Sequence, residues 1–252
     1  MAQSNNTSGD FENLRKDAEN LSLTSGRDHA VSGIKAALAA CSGVPGAGIV
    51  LGPLQSLIDD YVPRQSNERV FEFCKDLVEH LGKLESKFDG QYVKSDDFAS
   101  LFVRSFDSVR RDFHGDKLKY FRILLVNSVV RQDVAFDKKQ MYLHTLDSLL
   151  PAHLEVLALL HDPQRFVDSR NLAIRGGMLT TCLSNLIGQA LPHLAEHEVS
   201  VLIGDLDSKG LTQNMQGSLN TMMSGGGIEK LSGRLPKFAT DFIRFVTTNA
   251  QH

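Results

Sequence analysis

A mainly helical fold is predicted by three features of this chain. From residue 67 onward, apolar side chains recur at steps of three and four, the repeat of one face of an α-helix. No convincing run alternates with a period of two, the mark of a half-buried strand. The 252 residues are 42% hydrophobic, enough apolar material for helices to bury against one another without disulfide or metal staples.

In chain order, residues 1–10 are small and polar and are expected to be disordered, with neither the basic start nor the apolar core of a secretory leader. Phe11 to Leu23 suits a short helix. Val31 to Ile58 carries one charge, Lys35, and is interrupted by Gly43, Gly46, Gly48, Gly52, Pro45 and Pro53. Its length suits a membrane span. Glycine and proline weaken a helix interior, so two short buried helices joined at Ser42–Gly48 are the expected form, with a membrane-inserting hairpin as the alternative. A phosphate loop is not formed there, because Gly48 is followed by Ile49 where the loop needs Lys and a hydroxyl.

Cys74, Leu77, Val78, Leu81 and Leu84 then fall on one helical face. Ser95 is placed to cap a helix whose stripe is Phe98, Leu101, Phe102, Phe106, Val109 and Phe113. The next helix begins near Asp116 and turns Phe121, Leu124, Leu125 and Val129 inward. Asp137 and Gln140 have capping-box spacing ahead of Met141, Leu146, Leu149 and Leu150. Pro151 suits the first position of a helix through Leu154, Leu157 and Leu160. A longer helix is expected from about Ser169 to Leu191. Pro192 is read as opening another, which carries Val199, Leu202, Ile203 and Leu206 and stops at a left-handed Gly210. Residues 211–234 read as a loop framed by short strands, and Pro236 to Thr247 as a closing helix.

The net charge of −3 disfavours a surface that grips nucleic acid or lipid as a whole. Cys41, Cys74 and Cys182 are odd in number and lie far apart, which points to reduced, buried thiols in a cytoplasmic protein. His193-Leu-Ala-Glu196-His197 matches the HxxEH pattern, in which two histidines on one helix face bind zinc beside a general base. Its proline-led position and the lack of a well-placed third ligand favour two surface histidines instead. His153 and His161 bracket one helix and are given no role. The basic stretch Arg104, Arg110, Arg111, Lys117, Lys119 and Arg122 is broken by aspartates and reads as a solvated face.

Three segments resemble winged-helix domains of the multiple-antibiotic-resistance regulator type. Leu149–Leu160 looks like their opening helix, Val199–Leu211 like their recognition helix and its exit, and Gly233–Phe245 like the end of the wing and the closing helix. The resemblance implies a winged-helix-like subdomain carrying a short β-hairpin, with Lys209, Lys230, Arg234 and Lys237 as nucleic-acid contacts. The chain departs from the pattern in a long segment from Asp162 to Pro192. It departs again in an acidic recognition helix, with Glu196, Glu198, Asp205 and Asp207 against Lys209 alone, a face that DNA phosphates would repel. More broadly, the chain is similar to bacterial helical proteins, some of them in phage-defence settings. Gly52-Pro53 to Pro63-Arg64 and Lys117 to Asn127 carry that likeness.

The expected organisation is a loosely helical or disordered stretch over 1–28, a helical domain over 29–135, and a winged-helix-like subdomain over 136–252. The expected function is that of a non-enzymatic regulatory or interaction protein of a bacterial stress or phage-defence system. Such a protein would bind a protein partner or a second copy of itself, and would use no cofactor. A winged-helix DNA-binding regulator and a membrane-active effector using 31–58 are the alternatives.

Overall fold

The structure, a computed structural model, describes residues 73–111 except 75, 79, 82–83 and 85–89, together with residues 115–169 and 181–248. The expectations for the apolar segment 31–58, the glycine cluster at 43–48 and Cys41 lie outside the described residues. What is described is mainly α-helical, with one two-stranded sheet. It falls into two compact units, one ending at Asp147 and one running from Ser148 to Thr248.

In the first unit, the described residues between 73 and 81 are helical, and Cys74, Leu77, Val78 and Leu81 are fully buried on their expected face. A single turn, α1 (Gly90–Val93), leads into α2 (Asp96–Arg111). Ser95 caps α2 as expected: its hydroxyl accepts from the Phe98 amide at 3.3 Å. The stripe from Phe98 to Val109 is buried. Next comes α3 (Gly115–Val130), buried on nearly every side from Tyr120 to Val129, as befits the central helix of a unit. α4 (Phe136–Ser148) begins one residue before Asp137, so Asp137 sits in its first turn rather than at its cap. The buried stripe of α4 is Lys139, Tyr142, Leu143 and Leu146, and Met141 faces outward, 55% exposed.

Two buried lysines tie α3 to α4. The last carbonyls of an α-helix have no partner within it, and its C-terminus carries partial negative charge. Lys139, in the first turn of α4, donates its Nζ to the carbonyl of Ser128 in the last turn of α3 at 2.8 Å. Lys117, in the first turn of α3, does the same to the carbonyl of Asp147 at the end of α4, at 2.9 Å. Each ammonium therefore closes the other helix's C-terminus while its methylene stem lies in the core. Lys139 also stands 4.2 Å from the centre of the Tyr92 ring, a cation–π contact. Burial lowers its pKa, against the opposing pull of Asp133 and Asp97. Burial, then the Asp97 charge, pushes the Tyr92 hydroxyl up to about 12.

The second unit is built around α5 (Pro151–His161), with Pro151 at its first turn as expected. α6 (Pro163–Ser169) follows. The predicted single helix from 169 to 191 is corrected: Thr181–Cys182 form strand β1, and only Leu183–Ala190 (α7) are helical beyond it. Pro192 does not open a helix either. Residues 191–195 turn, and α8 runs Glu196–Ser208. Its inward face is the predicted Val199, Leu202, Ile203 and Leu206. Gly210 has φ +67°, and the Leu211 amide reaches back to the Leu206 carbonyl at 2.9 Å, the expected left-handed stop with buried Leu211 beyond it.

Residues 211–234 carry more structure than a loop. They hold a 3₁₀ turn (Gln216–Ser218), strand β2 (Met222–Met223), the short helix α9 (Gly225–Glu229) and a second 3₁₀ turn (Leu231–Arg234). β2 pairs antiparallel with β1, Thr181 opposite Met223 and Cys182 opposite Met222. Among the described residues this is the only sheet, and it joins distant segments instead of forming the expected local hairpin. α10 (Lys237–Thr247) packs on α5 and buries Phe242, Ile243 and Val246.

Replacing Lys139 with Ala removes a charge-assisted hydrogen bond and is expected to cost about 2 kcal/mol in urea unfolding. Lys94→Ala, at an exposed position, should stay within about 0.5 kcal/mol of wild type. Equal effects of the two would refute the clamp. Gly210→Ala meets no neighbouring atom but must hold a positive φ, so a loss of about 1 kcal/mol is expected from backbone strain alone. An unchanged melting temperature would contradict that geometry.

Candidate functional site

The outer face of α8 is the most distinctive surface among the described residues. α7, the turn at 191–195 and α8 make a helix–turn–helix unit, framed by β1 before it and β2 after it. The start of α8 is closed by its own chain: Glu198 accepts from the Ala195 amide at 2.7 Å, where a carboxylate also suits the helix dipole. With Val199, Leu202, Ile203 and Leu206 turned inward, Glu196, His197, Glu198, Val201 and Ser208 are left exposed. Val201 is 69% exposed at mid-helix, the most exposed large apolar side chain among the described residues.

Acidic groups on α8 have work inside the unit. Asp205 Oδ2 lies 3.1 Å from Nε2 of buried His153 and Oδ1 lies 3.6 Å from Lys209. His153 Nδ1 accepts from the Leu150 amide at 3.1 Å, closing the start of α5. That bond places the ring proton on Nε2, facing Asp205. Asp207 accepts from the Thr212 hydroxyl at 2.6 Å and from the amides of Met215 and Gln216 at 3.1 and 2.8 Å. Burial alone would raise its pKa. The Gln216 amide, the Thr212 hydroxyl, the Met215 amide and the Arg234 charge outweigh it and hold the carboxyl below its usual range.

The residues expected to touch nucleic acid are mostly engaged. Lys209 pairs with Asp205. Arg234 donates to the carbonyls of Gln213 and Asn214 at 3.3 and 3.1 Å, pinning the segment that Asp207 also holds. Lys237 pairs with Asp241 one turn on, at 3.2 Å. Lys230 is exposed at the end of α9. Four of the six basic residues of the first unit's stretch are similarly structural. Lys117 is the buried clamp, Arg122 pairs with Asp76, Arg104 donates to Gln140 at 3.2 Å, and Arg111 donates to the Asp107 carbonyl at 3.1 Å.

The zinc reading of His193 and His197 is not supported by their placement. α8 begins at Glu196, so His193 lies in the turn and the two rings do not share a helix face. His193 Nε2 instead meets Glu155 Oε2 at 2.8 Å. Among the described residues, no three His, Cys, Asp or Glu side chains could hold a metal ion together. Cys74 and Cys182 are buried free thiols, and burial pushes Cys74 up to about 12. His161 has a buried Nδ1, and its pKa is lowered by burial and then by Arg244.

No protein-family model matches the chain, and no curated protein or solved structure is significantly similar to it.

Sequence reasoning missed the Asp207 knot and the His153–Asp205 contact. Asp207 stands three residues before a left-handed glycine, a place where a carboxylate often meets returning amides, and that is the one signal the sequence offered. Asp207→Asn keeps the size but cannot accept from both amides and the hydroxyl, so a loss of about 1 kcal/mol is expected at neutral pH. The folded pKa is the lower one, so the carboxylate's contribution is present above the unfolded value, about 3.9, and fades as pH falls through the folded value. The gap between variant and wild type should therefore close on acidification below that value. A gap that is constant across acid pH would show that the carboxylate charge is not what stabilises the loop.

Proposed function

We propose that this chain is a non-enzymatic regulatory protein that acts through protein contacts made by the outer face of α8. The observation that carries this reading is the make-up of that face. α8 contains no Lys or Arg, presents Glu196 and Glu198 at its start, and exposes Val201 at its centre. Acidic side chains suit a complementary cationic protein surface and repel the phosphates of nucleic acid. A helix that reads DNA needs cations or amides facing phosphates and base edges.

The runner-up is a winged-helix DNA binder. The order β1, α7, turn, α8, β2 favours it, since a second helix laid across a turn is the arrangement of helix–turn–helix readers. Against it stand the acidic outer face and the short helix α9, which follows β2 where a wing would need a further strand. The membrane reading rests on residues 31–58. Among the described residues, no single helix is long and apolar enough to cross a membrane.

Fluorescence anisotropy with labelled duplex DNA at low salt separates the two leading readings. No complex is expected. Binding that weakens steeply with added salt, and that Lys209→Ala or Arg234→Ala reduces, would replace the protein-contact reading with the DNA one.

A further inference from the structure

We infer that His153 is a pH-sensitive cap, and that its protonation opens the first turn of α5. The inference is independent of what lies on α8.

The start of a helix leaves amides that the helix itself cannot satisfy. In a capping box, the third helical residue reaches back to the amide of the residue before the helix, and Glu or Gln usually fills that place. In α5 the place is filled by His153. Its Nδ1 accepts from the Leu150 amide at 3.1 Å, and the His153 amide donates to the Leu150 carbonyl at 3.0 Å. The acceptor of the cap is therefore an imidazole nitrogen. A neutral ring that accepts at Nδ1 carries its proton on Nε2, so the next proton can go only to Nδ1. Two N–H groups, of Leu150 and of the imidazolium, would then face each other where a hydrogen bond stood. The side chain is only 6% exposed, so the charged ring cannot reach water without leaving its place. Leu150 stands just inside the second unit, and acid thus loosens α5 where the chain enters that unit.

The charges around the ring decide the sign. On α8, Asp205 Oδ2 lies 3.1 Å from Nε2 and favours the imidazolium. Asp205 is 38% exposed and its other oxygen lies 3.6 Å from Lys209, so solvent and that ammonium weaken its pull. Asp207 of α8 is turned to Thr212, Met215 and Gln216, and Glu196, His197 and Glu198 are exposed. α7 has no ionisable side chain. On α10, Lys237 pairs with Asp241, and Arg244 acts on His161 at the far end of α5. Arg165 of α6 is exposed beyond that far end. Arg234 of the second 3₁₀ turn is held by the carbonyls of Gln213 and Asn214. Glu155, on α5 itself, meets His193. One screened carboxylate thus stands against both the loss of the cap and the burial of a charge, and the cap prevails. In the unfolded chain a histidine takes up its proton as pH falls through about 6.5. The folded ring resists that proton while the cap holds. The cap's contribution is therefore full above that pH and is lost as pH falls below it.

Thermal melts of the full chain between about pH 7.5 and about pH 5.5 test this, with wild type set against His153→Gln. Glutamine supplies a capping-box acceptor that does not titrate in this range. Wild type should lose about 3 °C more than the variant on acidification, as expected for one cap. Amide exchange, corrected for its intrinsic pH dependence, should show the protection of Leu150 falling about fivefold in wild type and staying level in His153→Gln. NMR of the imidazole nitrogens needs no variant: Nδ1 of His153 should take its proton over the same pH range in which Leu150 loses protection. An equal loss of melting temperature in the two proteins overturns the inference, and so does a wild type that gains on the variant in acid. A protonated Nδ1 with Leu150 still protected overturns it as well, as does a ring that stays neutral until the whole chain unfolds.

Discussion

Helix ends are the constraint on which this structure depends. A fold of short helices multiplies ends, and every end leaves backbone groups that must find partners or water. Here the partners are charged or titratable side chains. Lys139 closes the end of α3 and Lys117 the end of α4. His153 closes the start of α5, and Glu198 that of α8. Asp207 gathers the amides that open the first 3₁₀ turn, and Arg234 holds the carbonyls just before them. The polar residues that catch the eye in the sequence are largely consumed in this way, and among the described residues no three His, Cys, Asp or Glu side chains gather to hold a metal ion.

The parts that were legible in the sequence are those fixed by local geometry. The inward faces of α2, α8 and α10 follow from the 3.6-residue repeat, because burial acts on each helix through neighbouring turns. Ser95 and Gly210 were legible for the same reason, since a cap is decided within four or five residues. What was hidden depends on distance along the chain. β1 is two residues long and exists only because Met222–Met223 arrive beside it, some forty residues later. No alternation can announce a strand of that length. The clamp was hidden too, because a lysine reads as exposed unless one knows that its stem will lie in a core and its ammonium will reach a helix end.

The HxxEH match shows the same limit from the other side. The motif has meaning only if both histidines stand on one helix, and the helix start decides that. Pro192 suggested an early start, yet the chain turns through 191–195 and is capped by Glu198 at Ala195. That cap leaves His193 outside, where it meets Glu155. A motif five residues wide was therefore undone by a helix start that falls inside it.

The acidity of α8 needs one more step of argument, because most of it has a structural cause. Glu198, Asp205 and Asp207 are each held by groups of their own unit, which leaves Glu196 as the acid without an assigned internal role. Hydrogen bonds from amides and hydroxyls do not cancel charge, however. They hold the carboxylate ionised, as the lowered pKa of Asp207 shows, and its field still reaches any partner that approaches α8 within about a Debye length, roughly 8–10 Å. Lys209 offsets a part of that field at one end only. A polyanion laid along α8 would meet this field over the helix's length. The residues that close the helix ends thus also select what can lie across them, and the same carboxylates serve fold and surface together.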